Sequence, residues 1–279
     1  MMERMNRYPL LILFSAFLIA CNQNTRPIPE NQGNAKAPGA DNANQAKTQT
    51  PAANQAQVTA VDPATAATIR GTIYLIGSAP PPVEIDMGMD PGCMLANPQK
   101  NFSQQFVVNH GDLANVYVYI KRGLEGKNFT VPTTPVVLDQ KGCRYEPHVL
   151  ALMAGQTLRV ENSDPTMHNV HAQPDVAGNE QWNMSQMPKG TPIDKTFPQP
   201  EVMMPVKCNQ HPWMKAYVNV AANPFYAVSD SKGNFEITGL PPGAYTVAAV
   251  HEALGEQTQK VSIAPKEAKK VDFTYVAKD

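Results

Sequence analysis

The chain has 279 residues, with 23 basic and 24 acidic side chains and a formal net charge of -1. That balance lacks the basic excess that nucleic acid demands and argues against such a partner. Proline, at 26 residues, is nearly twice as common as usual, which disfavours long helices and points to an all-β class.

The first 20 residues carry Arg4 and Arg7 ahead of an apolar run from Leu10 to Ala20. The run is about half the roughly 20 residues that a spanning helix needs, and its leading end is basic, so it reads as a secretory signal. Its ending, Leu18-Ile19-Ala20-Cys21, resembles the bacterial lipobox. That resemblance implies cleavage before Cys21, lipidation of its sulfur, and contact with a membrane through this anchor alone. Asn22 resembles the outer-membrane sorting class. The expected location is the periplasmic side of a membrane, the outer one where a cell has two. Without Glu3, Arg4 and Arg7 the mature chain keeps a formal charge of about -2.

Residues 21–67 are rich in Asn, Gln, Ala, Pro, Thr and Lys with almost no large apolar side chains. Such a segment cannot bury a core and is expected to be a flexible tether. Beyond it, TIRGTIYLIG and NVYVYI alternate side chains on two faces, as do FEIT, YTVAAV and VDFTYV near the end. Turn signals at Asp230-Ser231-Lys232-Gly233-Asn234 and Gly239-Leu240-Pro241-Pro242-Gly243 separate the late strands. Together these pieces resemble the carboxypeptidase regulatory-like, transthyretin-type sandwich, a small non-catalytic β-module. They fall at 68–130 and 223–279, on either side of 131–222. The last piece alone gives only about four strands, few for a two-layer core, so the middle region is expected to be inserted in the sandwich. The alternative is serial, with 68–222 as one enlarged domain.

The middle region holds VKCNQHPWMKAYVNV, in which Cys208, His211 and Met214 are spaced by two intervening residues. A thiolate, an imidazole and a thioether on one tight loop are the donors of blue-copper sites, and zinc rarely selects methionine. A second imidazole is available in LRVENSDPTMHNVHA, where His168 follows a strand-like run and the turn Asn162-Ser163-Asp164-Pro165.

These residues resemble the cupredoxin family, most closely its amicyanin and pseudoazurin branch, over roughly 131–222. Tyr145, the turn Ala154-Gly155, LRVEN, Lys195-Thr196-Phe197 and AYVNV fall in family order. The resemblance implies a Greek-key β-sandwich holding one copper through His168, Cys208, His211 and Met214. Asn169 would tie the upstream strand to the thiolate loop. Where amicyanin-like loops carry proline before the loop histidine this chain has Gln210. An added backbone N–H at the sulfur would then raise the reduction potential. In the family, redox partners dock on the apolar surface around the loop histidine, which here would be Pro212 and Trp213, with the His211 edge near the surface.

With Cys21 assigned to lipid and Cys208 to metal, Cys93 and Cys143 remain. In an oxidising compartment they are expected to pair, the alternatives being two free thiols or a second soft-metal site with Met89, Met94 or His148. His110, His148, His171 and His251 read as structural or exposed. His171 on a strand faces away from His168 and is left out of the site. Met184, Met187, Met203 and Met204 read as core filling, or as a thioether patch for Cu(I).

The function implied is a lipid-anchored electron carrier, not an enzyme, serving exported redox proteins such as c-type cytochromes or a dehydrogenase. A copper-delivery protein is the competing expectation. The paired H-x-H motifs of a multicopper oxidase are absent.

Overall fold

The computed structural model describes residues 58–277. The signal at 1–20, lipidation of Cys21 and most of the tether lie outside them. The described residues form an all-β structure with one short helix, Pro91–Ala96. No helix among them is long and apolar enough to cross a membrane.

The first sandwich is centred on the strand Ala67–Ile76. It pairs antiparallel with Asn234–Leu240 and parallel with Ala268–Lys270 and Phe273–Val276. The facing sheet has the order Tyr226–Val228, Tyr117–Arg122, Gly243–His251, Gly255–Ile263. Period-two alternation sends Ile69, Ile73 and Leu75 inward against Val118, Ile120, Phe235, Ile237, Val247 and Phe273. Gly71 is required by close approach, since a Cβ there would lie 1.8 Å from the carbonyl oxygen of Val271. Both sheets combine strands from before residue 123 with strands from after residue 225.

The intervening chain forms a second sandwich. One sheet runs Ile193–Thr196, Thr157–Asn162, Val136–Gln140, Tyr145–Glu146. The other runs Trp182–Gln186, His168–Ala172, Glu201–Lys207, Lys215–Ala221, Val149–Met153. Leu138, Leu152, Leu158, Val160, Val170, Phe197, Met204 and Val206 fill the space between. Tyr145 is buried there and donates its hydroxyl to the carbonyl of Asn169 at 2.5 Å.

Two boundaries differ from the sequence expectation. Residues 58–66 are held against the first sandwich, because Thr59 N–H donates to Asn128 O and Lys266 N–H donates to Thr65 O, while Val61 packs on the core. The tether therefore ends earlier than residue 67. The excursion at 77–107, expected as part of the first sandwich, keeps Ala79 and Phe106 against that sandwich, but its middle, residues 84–102, packs on the second. It carries the strand pair Glu84–Ile85 and Asn101–Phe102 and the helix Pro91–Ala96, and a Cys93–Cys143 disulfide fastens it there. Its own apolar residues are few, and Met87 and the disulfide form a small core against Trp213.

Candidate metal centre

Two segments bring the donor atoms together. Asn162 closes the turn before His168, with Nδ2 donating to the carbonyls of Thr166, Gln186 and Met187, and Oδ1 accepting from Asp164 N–H. This sets His168 at the start of the strand His168–Ala172. The second segment folds on itself, because Met214 N–H donates to His211 O at 2.9 Å and Cys208 N–H to Met214 O at 3.2 Å.

The result is a convergent, dry donor set. His168, Cys208, His211 and Met214 are 0%, 4%, 3% and 1% exposed. Nδ1 of His168 lies 2.8 Å from Nδ1 of His211, and Cys208 Sγ lies 3.7 Å from the latter. One ligand atom from each of these three residues lies within 4.8 Å of the others. Met214 packs in the same buried cluster as Cys208.

The outer nitrogens decide what the inner ones can do. His168 Nε2 meets Asp164 Oδ2 at 2.8 Å and His211 Nε2 meets Asp90 Oδ2 at 3.0 Å. Each imidazole donating there presents a bare Nδ1 lone pair to the other, an arrangement satisfied by a shared proton or by a cation. Burial opposes a charged His168, but its hydrogen bonds to Asp164 and Cys208 raise it to about 9. Burial likewise opposes the Cys208 thiolate. Its hydrogen bond with His168 and the backbone N–H groups of Asn169, His211 and Gln210 prevail and bring it down to about 6. Burial raises Asp90, yet His211, Cys93, Thr166 and Gly92 together hold it below the usual carboxylate range.

Thiolate, two imidazole nitrogens and a thioether residue suit copper and leave little for a hard cation. Among the described residues two further groups also have metal-like spacing, Asp90 with Cys93 and His211, and Cys143 with Asp164 and His168. Their cysteines are bonded to each other, so both are the periphery of the same centre. The structure thus takes the disulfide over two free thiols or a second soft-metal site. His148 is engaged elsewhere, by Glu252 and by Lys215 O.

The neighbouring residues divide. Asn169 N–H points at Cys208 Sγ from 3.5 Å, and its Oδ1 accepts from Asn209 N–H at 2.5 Å, linking strand to loop. Gln210 has an exposed side chain and acts through its backbone. The expected docking edge at His211 is corrected. The excursion covers it, and Asp90 occupies the outer nitrogen. Pro212 is exposed, but Trp213 is only half-exposed and donates Nε1–H to Cys143 O at 3.0 Å, 5.1 Å from the His211 ring. It serves the internal packing of the cover. His171 stays apart, against Asn209 and Gln181. Core filling holds for Met204, whereas Met184 and Met187 are 39% and 62% exposed.

Asp90 and Asp164 were not assigned roles from sequence. Asp90-Pro91-Gly92 does spell a helix start, with aspartate as the cap and proline first. Nothing local shows that the second carboxylate oxygen reaches a histidine 121 positions away.

Residues 209–276 match the carboxypeptidase regulatory-like domain family. The match opens inside the metal loop and takes in the strand Lys215–Ala221 as well as late strands of the first sandwich. Among solved structures, the chain is similar to amicyanin from Paracoccus versutus, at 19% identity, TM-score 0.29, and 37% and 97% coverage of this chain and that one. The reduced Cu(I) form of a point mutant of amicyanin at pH 4 gives 25% identity, TM-score 0.29, and coverage of 33% and 86%. The Cu-containing nitrite reductase of Thermus scotoductus SA-01 gives 23% identity and TM-score 0.29 over 37% of this chain. The chain spans 25% of that enzyme's length. No curated protein matches.

Proposed function

We propose that the chain is a copper protein of the cupredoxin type that carries single electrons, with His168, Cys208, His211 and Met214 as ligands. The observation that carries this reading is the convergence of two imidazole Nδ1 atoms and the Cys208 thiol, all buried, with each imidazole backed by a carboxylate. Bound there, copper supplies a one-electron couple. The chain's own contribution is to hold the donors in place and keep water and competing ligands out. In this reading we assign no catalysis to the protein.

The reading extends to the cell envelope. Export through residues 1–20 and lipidation at Cys21 would hold the folded part near a membrane on the periplasmic side, the outer membrane where there is one. Partners would be exported redox proteins, such as c-type cytochromes or a dehydrogenase. With His211 covered, they would meet Pro212 and the excursion, not the imidazole.

A copper-delivery role is the second reading, favoured by the exposed thioethers of Met184 and Met187. The burial of all four ligands supports retention over transfer. Titration of the purified protein with Cu(II), followed optically and by electron paramagnetic resonance, separates the two. An intense thiolate charge-transfer band that reductant bleaches reversibly and Cys208→Ser abolishes supports the carrier. Colourless uptake of Cu(I), lost on replacing Met184 and Met187, would transfer support to delivery.

A further inference from the structure

Asp90 and Asp164 reach the centre from different parts of the fold, yet both are anchored in the same way. Asp90 Oδ1 accepts from the backbone N–H groups of Gly92 at 2.7 Å and Cys93 at 3.1 Å. Its Oδ2 accepts from Thr166 Oγ1 at 3.0 Å and faces His211 Nε2 at 3.0 Å. Asp164 Oδ1 accepts from Gly142 N–H at 2.7 Å, and Oδ2 from Cys143 N–H at 2.8 Å while facing His168 Nε2 at 2.8 Å. The two carboxylates are thus gripped by the backbone of Cys93 and of Cys143, and those residues are joined by the disulfide. Thr166 adds a second tie, from the turn before His168 back to Asp90.

We propose that Asp90, Asp164 and the Cys93–Cys143 bridge form one clamp that fixes both metal-facing imidazoles from outside the metal loop, with Asp90 as the positioning residue for His211. The proposal rests on the copper reading for its redox consequence, but not for its geometry. All four acceptor directions of the Asp90 carboxylate are filled, so it cannot follow His211 if the ring turns. The loop histidine is therefore held at both ends, by its own short loop and by a segment more than 100 positions away. Local geometry leaves no slack. A Cβ at Gly92 would lie 3.0 Å from Asp90 Oδ1 and 3.3 Å from Thr166 Cβ, so the excursion approaches the His168 turn too closely to take a side chain there without a shift. Cys143 has a positive φ of 53, an unfavourable conformation for a non-glycine residue, and it turns its N–H onto Asp164.

Carboxylate pairing raises the donor strength of a ligating imidazole and favours the more highly charged metal ion. The clamp therefore pulls the potential down, against the upward pull expected from the Gln210 backbone N–H.

The test compares the full chain with Asp90→Ala, with Asp90→Asn as the conservative variant, with the double variant Cys93→Ser/Cys143→Ser, and with Met89→Ala as an exposed control. Two readouts are taken: the nitrogen-15 signal of His211 Nε2–H in the metal-free protein, and the copper reduction potential with Cu(II) retention against a chelator. We expect Asp90→Ala to lose the slowly exchanging His211 signal, to raise the potential, and to retain Cu(II) about 10–100-fold less well. Asp90→Asn, which keeps an acceptor without the charge, should restore part of each, and the double cysteine variant should shift in the same direction as Asp90→Ala. An unchanged His211 signal in Asp90→Ala overturns the clamp whatever copper does; if that variant does not fold, faster exchange of the same signal in Asp90→Asn than in the unaltered chain supports the clamp, and an identical exchange rate overturns it. An unaltered potential in the double cysteine variant removes the bridge from it. If the unaltered chain takes up no copper, the carrier reading falls, and the His211 signal alone still decides the clamp.

Discussion

His148 Nε2 lies 2.5 Å from Glu252 Oε1, a buried contact between residues 104 positions apart. His148 precedes the strand Val149–Met153 of the second sandwich, whereas Glu252 follows Gly243–His251 of the first. His148 Nδ1 also pairs with Lys215 O, next to Met214. The two sandwiches are therefore coupled by a polar contact a few residues from the metal loop.

That contact makes stability depend on acidity. Burial raises the Glu252 carboxyl, but hydrogen bonds and charge from His148 and Tyr217 outweigh it and leave the pKa below the usual carboxylate value. Below about 4.3, where a free glutamate titrates, the unfolded chain takes up a proton that the folded chain resists. The stabilisation is present above that pH and is lost as pH falls through the folded value. Burial also depresses His251, so its share is lost as pH falls below about 6.5. Glu252→Ala should cost about 1–3 kcal/mol at neutral pH by orphaning buried donors. Thermal melts from neutral to acid pH check this: the gap between wild type and variant should close as pH falls, and a constant gap would refute the assignment.

The low thiol pKa makes a second prediction. In the metal-free protein, thiolate absorbance attributable to Cys208 should appear with a midpoint at about 6, read as the difference between wild type and Cys208→Ser. Because a thiolate is the ligating form, metal uptake should weaken as pH falls below that midpoint. A midpoint at the ordinary thiol value would mean that neither His168 nor the backbone N–H groups of Asn169, His211 and Gln210 hold the sulfur as described.

Asn169 offers a third test. Its side chain joins Asn209 N–H on the metal loop to Asn183 on the neighbouring strand. Asn169→Ala should destabilise the protein by about 1–3 kcal/mol and speed hydrogen exchange at Asn209 well above the global rate. Uniform acceleration at every amide would show a loss of stability without a special role in holding the loop.

How much of this could be read beforehand follows from how local each signal is. Cys208, His211 and Met214 stand on one turn, so their spacing alone announces a soft-metal loop, and His168 is marked by the strand and turn that precede it. The strands of both sandwiches are legible because alternation is a property of a few consecutive residues, as in Ala67–Ile76. Asp90 is different. Its capping role is local and readable, but its use by His211 depends on where the excursion lands, and 77–107 has no periodicity to say. The same ignorance made Trp213 look like an exposed docking residue, since nothing in its own loop reveals that Cys143 O receives its indole N–H.

The combined sheets of the first sandwich lead to the last prediction. Gly71 sits where Ala67–Ile76 runs beside Val271, and an alanine Cβ there would meet a carbonyl oxygen at 1.8 Å. A flexible side chain can give way to such a contact, but backbone cannot, so Gly71→Ala should cost about 3 kcal/mol or more, the upper end of overpacking. Because Ala67–Ile76 pairs with Asn234–Leu240 and Phe273–Val276, the damage should appear in segments far apart in sequence at once. Hydrogen exchange should accelerate together in 67–76, 234–240 and 273–276, while Thr157–Asn162 in the second sandwich keeps more of its protection. Acceleration confined to 67–76 would mean that the late strands form a sandwich without it, and the discontinuous arrangement would fail.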